Sequence, residues 1–261
     1  MIQRQIVIKN LAVNYYFARA TDDTVPTVVF LHGWRNNAKI WTPILTSLER
    51  QNRYHLYALD LPGFGGSQVP PESWKTEDYA KAVREFIITL GLNKVCVVGH
   101  SFGGKVGIKL AANYPESLEK LVLVGSSGIR VESWKNRLVI WLAKIAKPFF
   151  AIRFLQNLRP RIYHILGADD YLATPELKSV FLNVVREDLQ SELDRITMPV
   201  LLVWGDLDRE TPLVLGKMMA ERLRSARLLV FPKSGHFSFL DRPQEFVESL
   251  TSFINESGQS N

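Results

Sequence analysis

The sequence contains one cysteine and no long apolar run, and both absences narrow the class of protein. Cys96 cannot form an intramolecular disulfide, and its place in an apolar stretch predicts a core residue rather than a reactive thiol. No apolar run approaches the roughly 18 residues that span a bilayer. The N-terminal MIQRQIVIKN alternates like a strand and lacks the apolar block of a signal peptide. We therefore expect a soluble, cytoplasmic protein without redox or metal-thiolate chemistry.

Motifs for nucleic-acid binding are also absent, although the net charge is +6. No helix-turn-helix, zinc-finger or RNA-binding aromatic signature is present. The positive charge is concentrated, because eight basic residues and a single acid, Glu132, lie between Arg130 and Ile165. We expect no nucleic-acid partner and interpret this segment as the solvated face of a helical insertion, while transient contact with anionic surfaces stays open.

Length and composition are those of an ordinary globular protein. The chain has 261 residues, of which 46% are hydrophobic and 22% charged, which fits one large domain or one domain with an insertion. Strand patterns alternate with helical patterns in the later part of the chain, which predicts a mostly parallel sheet with helices on both faces. The predicted strands are Gln3 to Ile8, Ala12 to Ala20, Thr27 to Leu31, Tyr54 to Asp60, Lys94 to Val98, Lys120 to Val124, Val200 to Trp204 and Arg227 to Phe231.

One long interval, from about Ser127 to Arg195, interrupts this alternation. It contains no strand pattern, but apolar residues recur in it at helical spacing. We therefore predict a core domain formed by residues 1–126 and 196–261, with an all-helical insertion over residues 127–195.

A sharp corner lies in the stretch KVCVVGHSFGGKVGIKLA, where a buried-strand pattern turns directly into a helical one. A side chain at position 99 or 103 would collide with the neighbouring backbone, and glycine removes that clash. Ser101 must then project from the carboxyl end of the sheet, where open parallel sheets bind ligands.

Five stretches resemble, in order, the sequence blocks of the α/β-hydrolase superfamily. They are FLHGW at Phe30, ALDLPGFGGS at Ala58, GHSFGG at Gly99, VWGDLDRETP at Val203 and SGHF at Ser234. The resemblance implies that G-x-S-x-G is the nucleophile elbow, that Ser101 is the nucleophile, and that the acid and the histidine follow in that order. It also implies an eight-stranded α/β-hydrolase fold and places the insertion where the family carries its helical cap.

The acid must lie on a loop at the same sheet edge, because it orients the catalytic imidazole and stabilises its positive charge. The loop after Lys120 to Val124 reads GSSGIR and has no carboxylate. The loop after Val200 to Trp204 offers both Asp206 and Asp208. The family pattern G-x-x-D-x-x-x-P matches Gly205, Asp208 and Pro212, so the resemblance assigns the acid to Asp208 and leaves Asp206 as a turn residue.

Five histidines are candidates for the base. His236 follows the last predicted strand, in a loop whose glycine lets the ring reach the sheet edge, so we predict that it is the base. His164 falls in the insertion. The other three precede the nucleophile and are interpreted as structural residues, namely His32, His55 and His100.

Acyl transfer also needs hydrogen-bond donors for the oxyanion. The backbone N–H of Phe102, directly after the nucleophile, is the first, and the resemblance assigns the second to the N–H of Trp34. The Trp34 indole is either a core aromatic or a wall of the acyl pocket. Further walls are predicted from apolar side chains of the insertion that a short helix pair cannot bury, and these are Trp134, Leu138, Trp141, Phe149, Phe150 and Phe154.

These residues predict a serine hydrolase that cleaves small carboxylic esters through an acyl-enzyme, without cofactor or metal. The triad does not separate this activity from that of a lactonase, a thioesterase, a carbon-carbon bond hydrolase or a perhydrolase. A non-catalytic ligand sensor is the alternative outside catalysis, and a lipid-surface binding protein is a third possibility that is compatible with esterase activity. The sequence does not predict the oligomeric state.

Overall fold

The core of the fold is an eight-stranded sheet, seen in a computed structural model that describes residues 1–71, 73–130 and 175–256. Its order is β1-β2-β4-β3-β5-β6-β7-β8, and all neighbours pair in parallel except β1 with β2 and β2 with β4. The strands are Ile2–Ile8 (β1), Leu11–Ala18 (β2), Thr27–Leu31 (β3), His55–Leu59 (β4), Val95–His100 (β5), Leu118–Val124 (β6), Val200–Gly205 (β7) and Ala226–Phe231 (β8).

All eight predicted strands are present, with small shifts at their ends. The shift at β5 bears on the site, because this strand runs two residues beyond its predicted end at Val98. Gly99 and His100 continue the parallel register with Leu123 and Val124 of β6. His100 is therefore a strand residue, and the corner begins at Ser101.

Eight α-helices surround the sheet in the described ranges. Their bounds are Thr42–Gln51 (α1), Thr76–Thr89 (α2), Phe102–Asn113 (α3), Lys178–Arg186 (α4), Gln190–Leu193 (α5), Leu213–Arg222 (α6), Ser238–Asp241 (α7) and Pro243–Asn255 (α8), with short 3-10 turns at Ala38–Trp41, Pro115–Ser117 and Pro175–Leu177. The sequence patterns did not predict α1, which has a proline in its first turn and is capped by Asn52 in the left-handed region, with φ of 52°.

The central strands are apolar on both faces, because helices cover both. In β3, Val29 and Leu31 belong to the core on the side of α2 and α3, whereas Val28 and Phe30 belong to the core on the side of α1 and α8. This double burial explains why the central strands appear in the sequence as continuous apolar runs. The predicted mostly parallel, eight-stranded sheet with helices on both faces is confirmed.

The six parallel strands bring the loops that follow them to one edge of the sheet, at their carboxyl ends. The loops after β3, β5, β7 and β8 carry the residues singled out above, and those after β4 and β6 complete this edge. None of the helices in the described ranges has the length and apolar character of a membrane span. The described end of the insertion is helical, in α4 and α5, and its boundaries at 127 and 195 stay predictions.

Candidate active site

Ser101 occupies the corner between β5 and α3 in a strained backbone conformation, with φ of 50° and ψ of −110°. Two glycines allow the corner to form. A Cβ atom at Gly99 would lie 2.5 Å from the carbonyl oxygen of Gly103, and one at Gly103 would lie 2.4 Å from the carbonyl oxygen of Leu31. The Ser101 side chain is thereby held at the sheet edge, partly exposed.

Asp208 and His236, predicted as acid and base, are brought together by the loops after β7 and β8. The Nδ1 of His236 lies 2.9 Å from Oδ2 of Asp208, and both residues are buried. A proton on Nδ1 fixes the tautomer in which Nε2 is free to accept a proton. This pairing is the one that a serine nucleophile requires of its base and acid.

The Asp208 carboxylate is surrounded by donors that the sequence patterns missed. The backbone N–H groups of Glu210 and Thr211 each donate to Oδ1 at 2.9 Å, and the Thr211 hydroxyl lies 2.9 Å from Oδ2. Burial alone would raise the pKa of Asp208, but the hydrogen bond and the charge of His236, together with the bonds from Thr211, lower it below its ordinary value. When an aspartate side chain accepts from backbone N–H groups two and three positions later, the segment forms an Asx-type turn. In DLDRET, Asp208 forms such a turn with Glu210 and Thr211, and this turn distinguishes it from Asp206.

Asp206 has a different role from Asp208. Its side chain accepts from the backbone N–H of Ser234 at 3.2 Å, so it links the loop after β7 to the loop that carries His236. Asp206 itself is exposed. It is thus a turn residue that spans two loops and does not contact the imidazole.

A cavity of about 300 Å³ lies above Ser101. Its lining includes both Ser101 and His236, together with Gly33, Trp34, Arg35, Asn36, His100, Glu210 and Phe237. The Nε2 of His236 lies 3.4 Å from the carboxylate of Glu210, whose side chain is largely exposed. Within the described residues, the Ser101 hydroxyl makes no hydrogen bond to His236.

The predicted oxyanion donors lie beside this cavity. Phe102 is the first residue of α3, where backbone N–H groups have no partner within the helix. The loop after β3 approaches closely, since a Cβ at Gly33 would lie 3.2 Å from the Cβ of Ser101. Among the described residues, neither the N–H of Phe102 nor that of Trp34 is paired with a backbone acceptor. Both are therefore available to a negatively charged oxygen.

The Trp34 indole packs edge-on against Phe64 and Phe102, with ring centroids 4.9 and 5.3 Å away. It also contacts Phe181 of α4 at 5.2 Å, a residue that the sequence analysis did not single out. The indole is thus both a packed aromatic and part of the cavity wall. The other predicted pocket residues lie outside the described residues, namely Trp134, Leu138, Trp141, Phe149, Phe150 and Phe154.

Within the described residues, the rings of His32, His55 and His100 differ from that of His236 in having no carboxylate hydrogen-bond partner. His32 accepts from the backbone N–H of Leu61 at 2.9 Å, and burial lowers its pKa to about 4. His55 accepts from the backbone N–H of Ala20 at 3.2 Å. His100 bonds to a backbone carbonyl of the base loop. His164 lies outside the described residues, and within them no cluster of acidic, histidine or cysteine side chains could hold a metal ion.

Comparisons with known proteins place this site in a family. Residues 28–249 match the alpha/beta hydrolase family. The pimeloyl-[acyl-carrier protein] methyl ester esterase of Nitrosomonas europaea is 30% identical over 247 residues, which cover 85% of this chain and 93% of that protein. The 2-hydroxy-6-oxononadienedioate/2-hydroxy-6-oxononatrienedioate hydrolase of a Pseudomonas species is 26% identical over 247 residues, or 87% of each chain.

A solved structure shows the same fold. The esterase from Exiguobacterium antarcticum superimposes with a TM-score of 0.75 and 23% identity, covering 97% of this chain and 99% of that one. The resemblance predicted from five sequence blocks is confirmed, since the family match covers most of the chain, from β3 to α8. The chain belongs to the alpha/beta hydrolase family.

Proposed function

We propose that this chain is a serine hydrolase that cleaves carboxylic esters through an acyl-enzyme at Ser101. The observation that carries the proposal is the pairing of His236 with Asp208 at 2.9 Å, on the cavity that also contains Ser101. A serine hydroxyl is a weak nucleophile at neutral pH, and an imidazole oriented by a buried carboxylate is the group that activates it. Relatives named as methyl ester esterases support the same reaction.

The first half of the reaction forms the acyl-enzyme. Ser101 Oγ attacks the ester carbonyl carbon while its proton passes to Nε2 of His236, and Asp208 stabilises the resulting imidazolium. The backbone N–H groups of Trp34 and Phe102 are proposed to bind the oxygen that becomes negative. Collapse of this intermediate breaks the bond to the alcohol, which leaves with the proton from Nε2.

The second half releases the acid. A water molecule attacks the acyl carbonyl, its proton passes to Nε2, and the imidazolium returns that proton to Oγ as the acid leaves. Each step uses the same base and the same oxyanion donors, so all the groups that the proposed reaction needs are protein groups.

We propose a small ester with a short alcohol as the substrate class. Support comes from relatives named as methyl ester esterases, since methanol is the smallest alcohol. We retain the proposal that residues 127–195 form a cap that walls the acyl side, because Phe181 in its described end contacts Trp34. Its basic residues are proposed to attract anionic substrates or surfaces.

Carbon-carbon bond hydrolysis is the second candidate. The observation that favours it is the 26% identity to a hydrolase of 2-hydroxy-6-oxononadienedioate, which covers 87% of this chain. The same triad would serve both reactions. A panel of methyl esters, thioesters, lactones and vinylogous diketones separates them by relative kcat/KM.

Replacing Ser101 tests the proposal. Ser101→Ala retains a Cβ in the strained conformation, so the fold should persist while ester hydrolysis falls by about 10⁴-fold or more. A fluorophosphonate probe should label wild type but not this variant. Ser47→Ala, on the exposed face of α1, is the matched control and should leave labelling and turnover unchanged. Near wild-type hydrolysis by folded Ser101→Ala would refute the mechanism. If the wild-type protein binds ligand but is not labelled by the probe, the chain is a non-catalytic sensor instead.

A further inference from the structure

His100 is a buried titratable residue that has no role in the proposed mechanism. It is the last residue of β5 and directly precedes Ser101, and its side chain is almost wholly enclosed, at 1% exposure. From the sequence, His100 is interpreted as a structural residue because it precedes the nucleophile. Its contacts, however, include the two loops that follow β3 and β8 at the site.

The ring makes one hydrogen bond, to the backbone of the residue predicted as the base. Nε2 of His100 lies 3.0 Å from the carbonyl oxygen of His236. A carbonyl oxygen only accepts, so Nε2 carries the hydrogen and donates it. Burial, reinforced by the neighbouring His236, lowers the pKa of His100 to about 3, which keeps the ring neutral near pH 7. Neutrality leaves Nδ1 without a hydrogen, and this atom has no partner in the described structure.

The position of the ring is fixed from several sides. Its centroid lies 4.6 Å from that of His236, 4.9 Å from that of Phe237 and 5.2 Å from that of Phe239. On the other side it contacts the loop after β3, since a Cβ at Gly33 would lie 2.9 Å from Nδ1. The imidazole thus lies where the nucleophile strand, the oxyanion loop and the base loop meet.

The base loop is attached on both sides of His236, since Leu207 donates to the carbonyl of Ser234 at 2.9 Å and Leu240 to that of Phe237 at 2.8 Å. Its neighbouring backbone N–H groups donate to Asp206 and Asp241, from Ser234 at 3.2 Å and from Gly235 at 2.8 Å. For the carbonyl of His236 itself, His100 is the sole donor in the described part of the chain. The bond connects the backbone of the base to the strand residue adjacent to the nucleophile.

We propose that His100 is a positioning residue, an imidazole that holds the backbone of His236 in the place from which Nε2 of the base takes the proton of the Ser101 hydroxyl. The inference rests on the proposed serine-hydrolase function. His100 is not proposed as a second base, because among the described residues no carboxylate hydrogen-bonds to its ring to stabilise a positive charge.

Two substitutions separate donation from packing. His100→Phe keeps an aromatic ring among its neighbours but removes the donor, and His100→Gln removes the ring but keeps an N–H at similar reach. We expect kcat for a short ester to fall about 10- to 100-fold in the phenylalanine variant, because a small misplacement of a catalytic group has effects of that size. KM should change less than about 3-fold. The glutamine variant should recover most of kcat.

A spectroscopic readout tests the same bond without turnover. The proton of the Asp208–His236 hydrogen bond should give a downfield proton NMR signal in wild type and in His100→Gln, and this signal should broaden or shift in His100→Phe. His55→Phe is the matched control, because His55 is a buried strand histidine at the opposite end of the sheet. It should lower the unfolding temperature without changing kcat or the signal.

The proposal would be overturned if a folded His100→Phe had the kcat of wild type. It would also be overturned if kcat fell equally in both His100 variants and the fall simply tracked their lower unfolding temperatures. If the phenylalanine variant does not fold, a folded His100→Gln with kcat reduced more than 100-fold and the signal lost would overturn it. If wild type hydrolyses no ester and is not labelled, the serine-hydrolase proposal fails, whereas the NMR comparison still decides whether His100 positions His236.

Discussion

Helix α3 is held in place at two regions by different physical means. At its start, the nucleophile corner is closed by backbone contact, because Gly99 and Gly103 allow approaches that any side chain would prevent. One turn later, Lys105 donates to the carbonyls of Val184 and Glu187, the latter at 2.6 Å, and so ties α3 to the chain returning from the insertion. The corner is therefore a steric feature, while the junction is an electrostatic one that pH can change.

A second lysine extends the junction by another turn. Lys109 lies 2.9 Å from the carboxylate of Glu187 and 2.6 Å from that of Glu192. Both lysines are buried, with 3% and 8% exposure. The ammonium of Lys105 also lies at the carboxyl end of α4, where the helix dipole favours positive charge. Steric and electrostatic attachment can thus be broken separately by substitutions a few residues apart.

The largest expected effect comes from adding one methyl group to the corner. Gly103→Ala would place a Cβ 2.4 Å from the backbone carbonyl oxygen of Leu31, which cannot move without displacing β3. We expect a loss of stability on the order of 4 kcal/mol or more, seen as little folded protein or a much lower urea midpoint. Gly91→Ala is the control, since φ there is 63° but nothing lies within 4 Å. It should cost only about 1 kcal/mol, and similar midpoints for both variants would contradict the steric account.

The next largest effect is on activity, and it should differ between the two aspartates of the loop after β7. Asp208→Asn should lower kcat by about 10⁴-fold, because an amide cannot stabilise the imidazolium and favours the wrong tautomer of His236. Asp206→Asn should change kcat less than about 10-fold, because Asp206 contacts the base loop only through the N–H of Ser234. Steady-state ester hydrolysis by both folded variants checks the assignment. A larger loss in Asp206→Asn would move the acid to that residue.

The corner could be predicted from the sequence because its requirements are local. A strand pattern, two glycines around Ser101 and a helix pattern all lie within about eighteen consecutive residues. The pairing of Asp208 with His236 spans 28 positions, and the family spacing, not the residues alone, separated Asp208 from Asp206. Whether the side chains of the insertion wall the pocket stays a prediction.

The contacts of His100 and Lys105 could not be predicted in this way. His100 bonds across 136 positions and Lys105 across 79 and 82, and no periodicity connects such partners. In a helix pattern a lysine is normally interpreted as a solvated residue. Only the packing of the returning chain over α3 buries Lys105, so its role depends on tertiary structure.

The smallest expected effect tests the electrostatic junction through pH. Burial of the Lys105 ammonium lowers its pKa to about 8, against the opposing influence of Glu187 and Asp188. Between pH 8 and 10.5 the unfolded chain therefore binds the lysine proton while the folded chain releases it. Because the unfolded state then binds more protons, the contribution of Lys105 to the free energy of unfolding rises with pH through this window and is lost as pH falls through 8.

Lys105→Met removes that contribution. At pH 7.5 the variant should be destabilised by about 1 to 2 kcal/mol, because two buried carbonyls lose their donor. The stability gap between wild type and variant should then widen by up to about 3 kcal/mol towards pH 10.5. Urea unfolding at a series of pH values measures the gap. Lys217→Met, an exposed change on α6, controls for the loss of one positive charge and should alter stability by less than about 0.5 kcal/mol at pH 7.5. A gap between wild type and Lys105→Met that stays constant with pH would show that folding does not shift the pKa of Lys105, and would contradict a junction that pH can change.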